Sequence, residues 1–173
     1  MAVSLGIDPG LSGAIVAIEG GRIEEQFVMP VFVDDSGKRR IDEVMLLDLF
    51  LLYQGNINAI TIERQQIRPR QQGQFSIADG HGWLRGVAAM LDCEVYNPRP
   101  QEWQEIIEDA ELETRFLFAP TADNPKARSI EAARHLIPDL DLTPGLKRVP
   151  FHGLADAALM ALWGERRYYA NSE

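Results

Sequence analysis

Three acidic residues, far apart in the chain, stand where folding could gather them. Asp8 closes the run Gly6-Ile7-Asp8-Pro9-Gly10, Glu63 closes Ile60-Thr61-Ile62-Glu63, and Asp156 ends His152-Gly153-Leu154-Ala155-Asp156. Two carboxylates about 4 Å apart repel by roughly 4 kcal/mol at the effective dielectric of a partly buried site, so such a cluster is costly without a cation. A divalent metal relieves that cost. Oxygen-rich donors suit Mg²⁺ or Mn²⁺, and a pair of such ions can activate water and steady the leaving oxygen of a phosphodiester. His152 and Asp156, four residues apart, project from one helix face and have the spacing to complete the same site. Taken alone, that pair also fits a histidine near a helix start and an aspartate interacting with the helix dipole.

The elements that must position these groups follow from apolar periodicity. Val3 to Ile7, Ala14 to Ile18 and Ile23 to Met29 read as strands, and Gly20-Gly21 tolerates positive φ at both central positions of a turn, so residues 14 to 29 are expected to form a β-hairpin. Asp34 to Arg40 reads as a polar loop. Val44, Leu47 and Leu51 then recur at helical spacing up to Tyr53, and Gly55-Asn56 stops that helix. Ala59 to Glu63 is a short buried strand reached through a helical crossover, hence parallel to an earlier neighbour. Asp8 and Glu63 can therefore lie side by side at one sheet edge. Residues 73 to 91 are helical, with Gly82 and Gly86 spaced for a close packing partner. Glu94 to Asn97 is one more strand, and Pro100 opens a helix carrying Trp103 and Ile106-Ile107. Asn124-Pro125 reads as a cap with proline at the first helical position, Pro138 marks the end of that helix, and a last helix runs from about Phe151 to Tyr169. The order predicts a mixed α/β domain.

At 173 residues and 46% hydrophobic composition, the chain suits a single domain with a real core. Cys93 is its only cysteine, which excludes an internal disulfide framework and suggests a reducing compartment. No segment approaches membrane-spanning length and no basic, apolar leader precedes Val3, so a soluble cytoplasmic protein is expected. The net charge of −9 argues superficially against nucleic acid, yet only cations that touch phosphate matter. Lys38-Arg39-Arg40, Lys147-Arg148 and Arg166-Arg167 read as solvated faces. Arg64, Arg68 and Arg70 differ because they follow Glu63 directly.

Together, Gly6-Ile7-Asp8-Pro9-Gly10 with Gly13, the Ile62-Glu63 strand end, the Gly82 to Gly86 helix and Asp156-Ala157 resemble the RuvC family of Holliday junction resolvases, within the RNase H-like superfamily. Pro100-Gln101-Glu102-Trp103, Lys126-Ala127-Arg128-Ser129 and Leu136-Ile137-Pro138 are similar to further blocks of its bacteriophage-type members. The likeness runs in order through nearly the whole chain. It implies an RNase H-like mixed five-stranded sheet flanked by helices, and a homodimeric endonuclease that nicks two opposing strands of a four-way DNA junction with two Mg²⁺ or Mn²⁺ ions per site. It also implies work in the bacterial cytoplasm or a phage-infected host cell. Asp8 would bridge or share the metals, with Glu63 and Asp156 as further ligands. Many relatives carry an aspartate three or four residues before the last one. Gly153 and His152 hold those places here, and His152 is the candidate fourth ligand, as in some resolvases. A histidine would favour Mn²⁺ more than an all-oxygen site does. It must be neutral to bind, so activity should fall as pH drops through its pKa, near ~6.5 if unperturbed.

The resemblance places a junction-reaching loop just past Glu63, where Arg64, Gln65, Gln66, Arg68 and Arg70 can contact phosphates and base edges. Phe75 reads as core rather than a stacking platform. Lys126 resembles the family's basic residue near the scissile phosphate, and Arg128 is a further candidate DNA contact. Trp83, Trp103 and Trp163 read as core or dimer contacts, and His81 and His135 receive no role. Sugar-kinase and actin-like ATPases share a Gly-Ile-Asp-x-Gly start but need two lobes. The alternatives carried forward are an RNase H-like nuclease acting on structured RNA or other branched DNA, and a non-catalytic junction-binding protein.

Overall fold

β1 (Val3–Asp8) and β2 (Ala14–Glu19) are buried almost throughout, which is why both read as continuous apolar runs. They lie at the middle of the fold in a computed structural model that describes residues 2–65, 74–113, 124–145 and 148–172. β3 (Arg22–Val28) follows through the expected hairpin, with Gly20 at φ 57° and Gly21 at φ 75°. It lies at the sheet edge, and its residues are correspondingly half-buried or exposed. Residues 139 and 141 cover that edge: the Asp139 carboxylate accepts the Ile23 amide at 3.1 Å, and Gln26 exchanges two bonds with the Asp141 backbone at 2.7 and 3.0 Å.

The segment from Asp34 to Arg40 is not simply a loop. β4 (Val31–Val33) and β5 (Arg39–Ile41) pair antiparallel across it. Asp34 organises the turn by accepting from the Ser36 amide and hydroxyl and from the Lys38 amide, while Gly37 supplies φ 79°. Polar composition hides this hairpin because its strands gain little by burial. α1 (Glu43–Leu52) is capped by the Asp42 side chain, which accepts the Met45 amide at 3.0 Å. β6 (Ile57–Ile62) then returns parallel to β1, and α2 (Gln74–Ala88) leads to β7 (Glu94–Tyr96), parallel to β6. The result is a mixed five-stranded sheet in the order β3-β2-β1-β6-β7.

The expected helix from Pro100 divides at Gln104 into α3 (Pro100–Trp103) and α4 (Glu105–Glu113). α5 (Pro125–Leu136) is capped as expected by Asn124, and α6 (His152–Ser172) closes the chain. Strand alternation separates two cores. Val3, Leu5 and Ile7 of β1 pack with Leu46 and Phe50 of α1, whereas Ala14, Val16 and Ile18 of β2 pack with α6. Ser4, Gly6 and Asp8 therefore face α6. The spacing of Gly82 and Gly86 has no packing purpose among the described residues, since a Cβ at either would meet open space. Close approach occurs elsewhere: a Cβ on Gly6 would overlap the Ala157 carbonyl oxygen and the Ala161 amide, and one on Gly164 would overlap the Thr61 hydroxyl. No described helix is long and apolar enough to cross a membrane.

Candidate active site

Asp8 and Glu63 leave neighbouring parallel strands together. Ile7 pairs with Ile62, and the Glu63 amide donates to the Ile7 carbonyl at 3.4 Å. By alternation along β6, Glu63 shares the α6 face with Ala59 and Thr61. The loop after Asp8 is tight: the Gly13 amide donates to the Gly10 carbonyl at 2.8 Å, and the Gly10 amide to Asp8 Oδ1 at 3.4 Å. A Cβ on Gly13 would overlap the Asp8 carbonyl oxygen, so this position requires glycine. α6 starts on top of the loop, where a Cβ on Gly153 would lie 2.8 Å from the Ser12 carbonyl oxygen and 3.3 Å from Asp8 Oδ2. An aspartate at 153 has no room, and His152 beside it is the side chain left to face Asp8.

The electrostatics show that these groups share one field. Burial chiefly raises the Asp8 pKa above its ordinary value, with His152 opposing. Burial also raises that of Glu63, opposed by the indole bond from Trp103 and reinforced by Asp8. Asp156 is pushed up to about 7, mainly by burial, with Asp8 and Glu63 adding to the rise and Ser129 and Lys126 working against it. The Asp156 residue reaches solvent, yet its Oδ1 is sealed from it and has no hydrogen-bond partner among the described residues. Burial and Lys126 lower the His152 pKa, and Asp8 pulls it the other way.

Asp8, Glu63, His152, Asp156 and Lys126 are thus brought together. Among the described residues no three His, Cys, Asp or Glu side chains form a ready-made cage for a metal, so the arrangement is a convergence of donors. Its chemistry nevertheless fits a divalent cation: buried carboxylates that raise one another's pKa, with one oxygen left orphaned, are what a hard cation relieves. Arg64 is exposed and its amide donates to the Pro98 carbonyl at 2.8 Å, while Gln65 is half-buried just beyond. Gln66, Arg68 and Arg70 lie outside the described residues, as does the Phe75 side chain. Arg128 sits on α5, one turn from Pro125 and on the same helix as Lys126.

Two residues at this site went unread in the sequence. The Trp103 indole Nε1–H donates to Glu63 Oε1 at 3.0 Å, and Ser129, whose hydroxyl donates to the Pro125 carbonyl at 3.3 Å, lies close enough to Asp156 to work against the rise of its pKa. A signal was present for each: a buried indole needs an acceptor, and Ser129 lies one helical turn past Lys126. Trp103 and Trp163 are core residues as expected, at 1% and 8% exposure.

No protein-family model and no curated relative matches the sequence. Solved structures do match. Thermus thermophilus RuvC in complex with Holliday junction substrate aligns with TM-score 0.58 and 17% identity, covering 98% of this chain and 96% of that one. A second Thermus thermophilus RuvC structure aligns with TM-score 0.58 and 19% identity over the same shares, 98% and 96%. The fold is RuvC-like, of the RNase H type.

Proposed function

We propose that this chain is a metal-dependent endonuclease that resolves four-way DNA junctions by paired, symmetric phosphodiester cleavage. The observation that carries this reading is the convergence of Asp8 and Glu63, at neighbouring strand ends of a RuvC-like fold, with Asp156 of α6, whose Oδ1 is buried and has no partner among the described residues. The substrate class is suggested by the structural neighbour that was solved with a Holliday junction.

Asp8, Glu63, His152 and Asp156 would hold two Mg²⁺ or Mn²⁺ ions. When bound, these supply the positive charge that activates water and steadies the leaving oxygen. Asp8, central among the four, would be the shared ligand. His152, its pKa lowered by burial, is neutral near pH 7 and can offer a ring nitrogen. Lys126, close enough to shift both His152 and Asp156, would balance charge at the scissile phosphate. Arg64 and Gln65 at the β6 exit, the following Gln66, Arg68 and Arg70, and Arg128 on α5 would take up DNA phosphates.

Two symmetric nicks call for two sites, hence a homodimer. α1 supports that reading by turning Val44, Met45, Leu51 and Leu52 to solvent on the side away from its buried Leu46 and Phe50. The work would be done in a bacterial cytoplasm or a phage-infected cell.

The test is cleavage of a labelled four-way junction with Mg²⁺ or Mn²⁺, comparing wild type with Asp8→Asn and using linear duplex and structured RNA as controls. Paired nicks near the crossover, lost in the variant, are expected. Binding without nicking would make the protein a junction scaffold. Preferential cleavage of RNA would make it an RNA nuclease.

A further inference from the structure

One short segment grips the strand end that carries Glu63 at three points. Asn97 Nδ2 donates to the Ile62 carbonyl at 2.7 Å, the Pro98 carbonyl accepts the Arg64 amide at 2.8 Å, and Trp103 Nε1 donates to Glu63 Oε1 at 3.0 Å. The first two bonds fix the backbone on either side of Glu63, and the third fixes its side chain. The segment is itself held. Pro100 opens α3, the Glu102 carboxylate accepts the Arg99 amide, and the Trp103 ring is 1% exposed in the core beneath α6. Asn97 is braced from behind by His81 of α2, with 3.1 Å between its Nδ2 and the ring Nε2.

We propose that Trp103 is a positioning residue for Glu63, setting the carboxylate so that it faces Asp8 and Asp156 as a metal ligand. This rests on the reading of Glu63 as a ligand given above. An ionised carboxylate has two oxygens and about four lone-pair sites. The indole occupies one of these on Oε1, leaving Oε2 and the remaining Oε1 lone pair to turn toward the cluster. The donor sits on a rigid, fully packed ring, so the direction of its N–H is fixed by the core. Ordering a ligand in this way is what outer-shell partners do, and losing one typically costs about 10- to 100-fold in metal affinity or activity.

Trp163 provides the control. It is also buried, and its Nε1 donates to Glu105 at 2.7 Å, but it lies seven residues, about 10 Å along α6, from Asp156. The experiment is calorimetric titration of the full chain with Mn²⁺ alone, in wild type, Trp103→Phe, Trp163→Phe and Asp8→Asn. Trp103→Phe is expected to bind Mn²⁺ at least about tenfold more weakly, with Trp163→Phe unchanged. In junction cleavage Trp103→Phe should lower kcat and leave KM for the junction as it was, a split that general loosening would not produce. Wild-type Mn²⁺ affinity in Trp103→Phe, or equal weakening in Trp163→Phe, would overturn the proposal. Wild-type affinity in Asp8→Asn would instead overturn the metal reading beneath it. If Trp103→Phe does not fold, benzothienylalanine placed at 103 keeps the ring shape and removes only the N–H, and the same outcomes apply.

Discussion

Gly6 lies directly beneath Ala157, so close that a Cβ on the strand residue would overlap the helix carbonyl oxygen. Gly6 is two residues before Asp8 on the same face of β1, and Ala157 follows Asp156. The contact that seats α6 on the sheet is therefore the one that brings the two carboxylates together. Gly6→Ala must push backbone against backbone, which yields less than a side chain would. The expected loss is about 3 kcal/mol or more, at the upper end for overpacked cores. For a chain of this size that lowers Tm by at least about 6 °C. A thermal melt of the metal-free protein checks it, and a wild-type Tm would show that α6 is not seated as described.

The raised pKa of Asp156 makes the metal-free protein sensitive to pH in an unusual direction. Its folded value, about 7, lies above the ordinary 3.8, so between these values the folded state holds a proton that the unfolded chain releases. Stability contributed by that proton is present at pH 4 and is lost as pH rises toward 7, up to about 4 kcal/mol in all. Melts in a chelating buffer should show Tm falling from pH 5 to 7. Asp156→Asn should flatten the slope, and Mn²⁺ should raise Tm most at pH 7 to 8, where the carboxylates are ionised. A pH-independent Tm in the chelated wild type would refute the assignment.

Much of this site was legible because it is built on periodicity. The apolar runs before Asp8 and Glu63 and the crossover through α1 put those two at neighbouring strand ends, and the four-residue spacing of His152 and Asp156 puts that pair on one helix face. Side-chain bonds between distant elements were not legible. A buried indole at Trp103 needs an acceptor, but nothing local says that the acceptor is Glu63 or that Asn97 reaches the Ile62 carbonyl, since each depends on the three-dimensional path of the segment after β7. The close-packed glycines were misread for a related reason. Gly82 and Gly86 share the spacing of a packing motif but meet nothing among the described residues, whereas Gly6 and Gly164 bear the contacts singly. The hairpin of β4 and β5 was missed because an aspartate-centred turn, not apolar burial, holds it.

Glu165 illustrates a purely structural carboxylate on the same helix. It is 5% exposed and accepts the Gly20 amide at 2.7 Å and the Gly21 amide at 2.9 Å, tying the middle of α6 to the β2–β3 turn. Glu165→Ala would leave both amides without this acceptor. Since the turn is partly solvated, the expected cost is about 2 kcal/mol, or roughly 4 to 8 °C in Tm. Mn²⁺ affinity should be unchanged. Urea denaturation and Mn²⁺ titration of the variant check both halves, and a loss of metal binding would place Glu165 in the site instead.

His152 is the position where chemistry and packing can be separated. Burial and Lys126 hold its pKa below the usual 6.5, against the pull of Asp8, so the ring is neutral at pH 7 and free to donate a lone pair. A neutral nitrogen among carboxylates should favour Mn²⁺ over Mg²⁺. Replacing it by an acidic oxygen donor at the same place, His152→Asp, should reverse that preference and lower the ratio of Mn²⁺- to Mg²⁺-supported cleavage by about tenfold, the scale of a single change around a metal site. The acid limb gives a second readout. Asp156, with its pKa of about 7, starts the acid limb in both proteins; protonation of His152 below pH 6.5 should steepen the wild-type limb, and that added part should vanish in the variant. Cleavage rates measured with each metal from pH 5 to 8 decide the matter. A variant with the wild-type metal ratio and acid limb would remove His152 from the ligand set and leave the metals to Asp8, Glu63 and Asp156.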